Sequence, residues 1–318
     1  MNDKDRCFGL LDKKKICFIT TRLKGDYCFY GIQALGYPIA IPYTDFNLFM
    51  RCLREAWFRL KLPGRQLFYN KECKRIKAEL YIVRDPLMTP GFLVWLRKCH
   101  PEARIILDYD NLVRGTIHPD SVPEDIEKWS YAPEDCETYH MHRNTQGGYY
   151  DSWEMHKTEV PAYDIVYVGR DKGRAELLLN FEKSLQELGL RTNFHLCADR
   201  RFMTWKKPYY KPLLQYQEYL DLVGNSRALL NIAQEGCSAI TMREVEAVFH
   251  NVKCVTDNKA IKASAIYHPS RYFVLGEDPI EDLPAFLETP FVPLPEEDLW
   301  MMRFDRAVEE KYFYKADK

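Results

Sequence analysis

The sequence predicts an α/β protein built as two Rossmann-like halves with a C-terminal closing helix. Short apolar runs alternate with stretches of helical spacing along both halves. Most runs end on polar residues or glycine, which is how parallel βαβ units present groups at their strand ends. At 318 residues the chain is long enough for two domains of ordinary size.

In the first half, residues 16–20 form a short strand behind Lys13, Lys14 and Lys15. A polar loop with Gly25 and Asp26 leads to a helix over 27–35, closed by Gly36, and then to a strand over 38–43. The next helix spans 47–60, where Leu48, Cys52 and Ala56 recur every four residues, and Pro63-Gly64 ends it. A strand over 80–83 ends at Arg84-Asp85-Pro86, a helix covers 92–99, and a strand over 104–107 ends at Asp108-Tyr109-Asp110-Asn111. Between 119 and 160 the pattern breaks down, with short pieces expected near 129–131 and 138–141. The domain division is therefore placed here, giving domains 1–158 and 159–318.

The second half repeats the alternation. Strands are expected at 163–168, 192–197, 228–232, 253–256 and 272–275. Helices fall at 175–188, 216–223, 242–249, 261–265 and 280–287, and a closing helix at 296–314. Ligands in such sheets sit at the carboxyl ends of the strands, so two halves would face a central cleft.

Composition narrows the function classes. With 46% hydrophobic and 29% charged residues the chain is a folded one. No apolar run approaches bilayer-spanning length, and the charged first residues lack the apolar core of a secretion signal. Ten cysteines without CxxC pairs suit reduced thiols, so a cytoplasmic location is expected. The net charge of -1 hides an asymmetry, because residues 1–110 hold 20 Lys/Arg against 12 Asp/Glu. Much of that excess lies between Arg51 and Lys77, interleaved with Trp57, Phe58, Leu60, Leu67 and Phe68. Such a stretch suits peripheral contact with an anionic membrane at the inner face of the cell, and equally the wet face of an ordinary helix. Nucleic acid is not expected as a partner, since the chain is near neutral and carries no recognised motif.

The run Val168-Gly169-Arg170-Asp171-Lys172-Gly173-Arg174 carries the strongest chemical signal. It follows a strand and opens a helix, so glycine allows close backbone approach while Arg170, Lys172 and Arg174 add charge beside a helix start. That describes a phosphate site, or a solvated basic loop. A second segment, 234–247, also runs from a strand into a helix. Thr241 and Glu244 have capping-box spacing, which leaves the amides of Ser238, Ala239 and Thr241 for a phosphate. Arg243 can reach phosphate or pair with Glu246, whose carboxylate can hold a ribose. The plainer reading is a capped core helix with a surface glutamate.

Together the two segments resemble bacterial GT-B glycosyltransferases of lipopolysaccharide and capsule biosynthesis. The resemblance lies in residues 167–174, then Gly236-x-Ser238-x-x-Thr241-x-Arg243-x-x-Glu246-Ala247, then residues 253–258. It covers about residues 160–290 well, and the first half only in its order of elements. It implies a C-terminal domain that holds a nucleotide-diphosphate sugar such as a UDP-sugar, and an N-terminal domain for a saccharide or lipid-linked acceptor. Gly169, Arg170 and Lys172 would sit at the diphosphate and Glu246 at the ribose. The family's two donor-site glutamates stand eight residues apart, whereas Glu235 and Glu246 stand eleven apart. Ser238 or Ala239 is then left to fill the first place through its backbone.

Glycosyl transfer must stabilise a departing nucleoside diphosphate, and without a metal that charge comes from Arg, Lys and helix dipoles. No cofactor is expected beyond the donor itself. Asp108-Tyr109-Asp110 has the form of a metal-binding triplet but lies in the acceptor half, and Cys136, His140 and His142 lack a fourth zinc partner, so no metal is expected. An inverting enzyme needs a base, for which Asp26, Asp85 and Asp110 are the candidates, Asp26 first because its loop should face the cleft. A retaining enzyme needs none. The alternatives are a non-catalytic nucleotide- or sugar-phosphate-binding protein of the same architecture and an NAD(P)-dependent oxidoreductase. The oxidoreductase would require a Gly-x-Gly-x-x-Gly turn that neither half contains.

Overall fold

The computed structural model describes residues 11–22, 27–85, 89–144, 148–150, 153–199, 207–234 and 236–314. The chain divides into two compact units, residues 1–144 with 308–318, and residues 145–307.

In the first unit the order is β1 (Ile16–Ile19), α1 (Tyr27–Ala34), β2 (Ile39–Ala40), α2 (Leu48–Arg59), α3 (Glu72–Arg75), β3 (Leu80–Arg84), α4 (Pro90–Cys99), β4 (Arg104–Tyr109), β5 (Glu127–Ser130), α5 (Pro133–Tyr139) and β6 (His142–Arg143). Its sheet runs β2-β1-β3-β4-β5-β6, and every pairing is parallel. β1 and β3 are buried along their whole length, as expected for strands covered on both faces. Helix starts follow local chemistry. Asn47 Oδ1 accepts from the Met50 amide at 3.0 Å to open α2, and Thr89 Oγ1 accepts from the Phe92 amide at 3.3 Å to open α4, with Pro90 in the first turn.

The second unit holds β7 (Tyr163–Arg170), α6 (Ala175–Glu187), β8 (Thr192–Cys197), α7 (Tyr216–Gly224), β9 (Ser226–Asn231), α8 (Met242–Phe249), β10 (Lys253–Thr256), β11 (Tyr272–Val274), α9 (Leu283–Glu288) and α10 (Glu296–Met301). Its sheet, also all parallel, runs β11-β10-β9-β7-β8. The last helix, α11 (Phe304–Phe313), begins in the second unit and ends in the first. The expected class, α/β with two parallel sheets and a C-terminal helix, is what the chain forms.

The strand expected over 38–43 shrinks to Ile39–Ala40, and two further boundaries differ from the sequence reading for a structural reason. The closing helix expected over 296–314 is broken between α10 and α11. There the Gly148 and Tyr149 amides donate to Met302 O at 2.9 and 3.0 Å, and the Phe304 amide donates to Tyr149 O at 2.9 Å. These bonds take backbone groups that a continuous helix would use. The division between units falls after Asn144, not after residue 158, because the intervening segment is fastened to the second unit. Tyr149 stacks on Phe249 at 4.3 Å, Trp153 meets Tyr216 edge-on at 5.0 Å, and the Thr158 amide donates to Gly224 O at 3.2 Å.

That segment passes so close to the end of α7 that a Cβ on Gly224 would overlap the backbone carbonyl of His156. Gly224→Ala should therefore lower unfolding stability by about 1–3 kcal/mol, the usual range for overpacking against backbone. Urea unfolding of the variant checks this, and a change within error would show that 155–158 yields freely.

Candidate functional site

The chain leaves β7 to build β8 on one side and returns to build β9 on the other. The carboxyl ends of β7 and β9 therefore flank the point where strand order reverses, the usual ligand crevice of an open parallel sheet. Four cations gather there. The turn after β7 supplies Arg170, Lys172 and Arg174, and the first turn of α8 supplies Arg243.

The turn is held by backbone and carboxylate contacts. Lys172 (φ 46°) and Gly173 (φ 78°) both occupy the left-handed region, strained for a lysine. Asp199, just past β8, steadies it by accepting the Lys172 amide at 3.0 and 3.1 Å. Arg170 donates to Asp199 O at 2.8 Å. Arg174 braces the two exits, donating to Ile232 O at 2.5 Å and to Tyr167 Oη at 3.3 Å. Arg243 donates to Val168 O at 2.5 Å with its guanidinium 5.5 Å from the centre of the Tyr167 ring. Gly169 is required by this packing, since a Cβ would stand 2.7 Å from Tyr167 Oη and 2.9 Å from the Arg243 guanidinium.

Among the described residues, none of the four cations has an ion pair with a carboxylate. They repel one another instead. Desolvation, together with the charges of Arg174, Arg243 and Arg170, holds the Lys172 ammonium below its ordinary range, with only Asp199 working the other way. A cluster of this kind is stabilised by an anion.

The two neighbouring helix starts differ. At α6, Asp171 Oδ1 already accepts the Ala175 amide at 2.7 Å, so that N-terminus carries its own carboxylate. At α8, Glu244 Oε2 accepts the Thr241 amide at 2.6 Å, which is one arm of the expected capping box. The Thr241 side chain accepts from the Glu244 amide to complete the box, and at the end of β9 Asn231 Oδ1 is buried without a hydrogen-bond partner among the described residues. Ser238 is exposed, whereas Ala239 is buried and accepts from Asn258 Nδ2 at 3.1 Å.

Glu246, expected at a ribose, is occupied otherwise. It is 4% exposed, and its two oxygens accept from Tyr216 Oη at 2.5 Å and Tyr219 Oη at 2.6 Å. Burial raises its pKa, while the two tyrosines and Arg243 act against that rise. In this arrangement it ties α7 to α8.

The first unit gathers carboxylates at the ends of β3 and β4. Asp85 is fully buried and consumed by structure, accepting from the Asp110 amide at 2.8 Å and from Asn111 Nδ2 at 3.2 Å. With no exposed surface it cannot touch a substrate, which corrects its place among the candidate bases. Asp108 is likewise taken, by Lys311 Nζ at 2.9 Å and Asn144 Nδ2 at 2.5 Å. Burial would raise its pKa, but Lys311 and Arg84 outweigh that and hold it low. Asp110 differs, with a side chain that is 25% exposed. Arg84 grips both of its oxygens, through Nε at 2.6 Å and through a second guanidinium nitrogen. Burial, with the charges of Asp85 and Asp108, nevertheless lifts its carboxyl to about 7 against the pull of Arg84. Asp26 lies outside the described residues, as does Glu235. The described residues contain no group of three or more His, Cys, Asp or Glu able to hold a metal. Cys136 Sγ is engaged by Ser130 O and His142 O.

No protein-family model and no curated protein sequence matches this chain. Solved structures do. An apo lipopolysaccharide outer core galactosyltransferase, WaaB, aligns over 93% of this chain and 99% of its own at 12% identity and a TM-score of 0.46. A DNA-modifying β-glucosyltransferase aligns over 93% and 95% at 15% identity and a TM-score of 0.49. A putative UDP-N-acetylglucosamine 2-epimerase from Listeria monocytogenes aligns over 93% and 90% at 8% identity and a TM-score of 0.41. At these scores the likeness concerns the course of the chain and carries no chemistry of its own.

Of the residues singled out from sequence, Gly169, Arg170, Lys172, Arg174, Thr241 and Arg243 come together. Asp85 and Glu246 are drawn into the interior. Sequence reasoning missed Tyr167, Asp199 and Arg84. Tyr167 reads as one more apolar residue of its strand, and Asp199 stands far from the turn it holds. Arg84 adjoins a flagged aspartate, a signal that was there to be used.

Proposed function

We propose that the protein is a glycosyltransferase of GT-B type, moving a sugar from a nucleotide-diphosphate sugar to a saccharide or lipid-linked acceptor in surface polysaccharide assembly, without a metal ion. The observation that carries the reading is the set of four cations without carboxylate partners at the strand-order reversal of the second unit. A diphosphate answers that charge, and its negative charge grows as the sugar bond breaks, so the same cations favour the transition state over the ground state.

Each residue takes a distinct part. Arg170 and Lys172 meet the diphosphate, and Arg243 contributes charge from the opposite wall. Met242 and Arg243 offer first-turn amides, and Thr241 a hydroxyl. Arg174 braces the loops, because its donors are spent on carbonyls and on Tyr167. Asp110 of the first unit is the carboxylate assigned to take the proton of the acceptor hydroxyl, its pKa lying near neutrality as a base requires. A cytoplasmic location is part of this proposal.

A panel of nucleoside diphosphates, each tested for a rise in unfolding temperature, checks the donor site. At a hundred times its Kd the right nucleotide adds about 2.7 kcal/mol of apparent stability. The matching nucleotide sugar should then be hydrolysed slowly without acceptor. A chain stabilised by the nucleotide that never releases sugar would be a binding protein.

A further inference from the structure

Helix α2 is apolar on the face it turns to solvent. Its inner side is formed by Met50, Arg54, Trp57 and Phe58. Phe58 meets Phe68 at 5.8 Å, Trp57 Nε1 donates to Pro63 O at 2.8 Å, and the Arg54 guanidinium lies 4.6 Å from the centre of the Tyr43 ring. On the other side Phe49, Cys52, Leu53 and Ala56 recur at helical spacing and lead on to Leu60, and all five are exposed. Phe49 is 73% exposed and Leu60 69%, and the adjoining Leu48 is 78% exposed. A helix whose partner is water alone would carry polar residues there.

Charge says what kind of partner fits. Residues 48–77 hold nine Lys/Arg against two Glu, and Arg59, Lys61, Lys71, Lys74 and Arg75 have no ion pair among the described residues. Leu67, 74% exposed, lines a surface groove of 780 Å³ together with Lys71 and Arg75. A second copy of the chain would set this positive surface against itself. An anionic bilayer satisfies both properties, taking the apolar stripe into its acyl boundary while its headgroup phosphates meet the cations. No described helix is long and apolar enough to cross a membrane.

We infer that the α2 face docks the protein on an anionic lipid surface, with α2 lying flat and Phe49, Leu53 and Leu60 inserted. This goes beyond the transfer reaction and does not depend on it. The test is sedimentation of the full chain with vesicles of phosphatidylcholine alone and of phosphatidylcholine mixed with phosphatidylglycerol. Wild type should be retained by the mixed vesicles at low salt, not by the neutral ones, and retention should fall at least about tenfold in high salt. The Phe49→Ser/Leu60→Ser double variant should partition at least about tenfold more weakly. Its unfolding temperature and its stabilisation by nucleotide should match wild type, since Phe49 is 73% and Leu60 69% exposed. Equal retention of variant and wild type, or no retention of wild type on mixed vesicles, overturns the inference. So does a concentration-dependent dimer that the double variant loses, because a second copy would then be the occupant.

Discussion

Arg170→Ala and Lys172→Ala should each bind nucleoside diphosphate about tenfold more weakly or worse, and the double variant about a hundredfold, with no loss of folding stability from Lys172→Ala and a small one from Arg170→Ala. A charge-assisted hydrogen bond contributes about 1.5–3 kcal/mol, which sets that scale. Both side chains are exposed and have no ion pair with a carboxylate among the described residues, but Arg170 also donates to Ala198 O and Asp199 O, whose loss should cost about 0.5–1.5 kcal/mol. Removing the Lys172 charge also relieves its neighbours, so apo Lys172→Ala should unfold at the same temperature or slightly higher. Arg243→Ala should behave differently, weakening the nucleotide while also loosening the turn, because its guanidinium packs on Tyr167 and Gly169. Calorimetric titration beside thermal unfolding separates the cases. Affinity that survives in the double variant would remove these residues from the site.

Asp110→Asn should lower kcat by about two to four orders of magnitude while leaving nucleotide affinity alone, the range expected when a general base is lost. The pH dependence gives a sharper reading. Only the ionised carboxylate can accept a proton, so wild-type kcat should be low in acid and rise through about pH 7. Arg84 pulls that pKa down, so Arg84→Gln should move the rising limb to higher pH. A profile flat across neutrality, or one unmoved by Arg84→Gln, would take Asp110 out of the reaction. A retaining mechanism would give the flat profile.

Much of the fold was legible because parallel strands are buried on both faces and show as apolar runs. β3, β4, β7, β9 and β10 are all such runs. The two-residue strands β2 and β6 are too short to carry a period. The break between α10 and α11 depends on Tyr149, distant in sequence, and no local pattern reports it. At the site, glycine and cations marked the turn after β7 because both follow from backbone approach and charge. Glu246 misled for the opposite reason. Its place on α8 was read correctly, but what its carboxylate meets is set by Tyr216 and Tyr219 on another helix. Asp85 and Asp110 stand at adjacent strand ends and look alike in sequence, and only burial separates the anchor from the accessible acid.

The most direct measurement is calorimetric titration of the chelator-treated wild-type protein with UDP and the other nucleoside diphosphates, at low and high salt. One diphosphate should bind with no divalent ion present, bind more weakly as salt screens the four cations, and bind far better than its nucleoside. Binding that appears only when a divalent metal is added, or a nucleoside that binds as tightly as its diphosphate, would contradict a metal-free grip on the pyrophosphate.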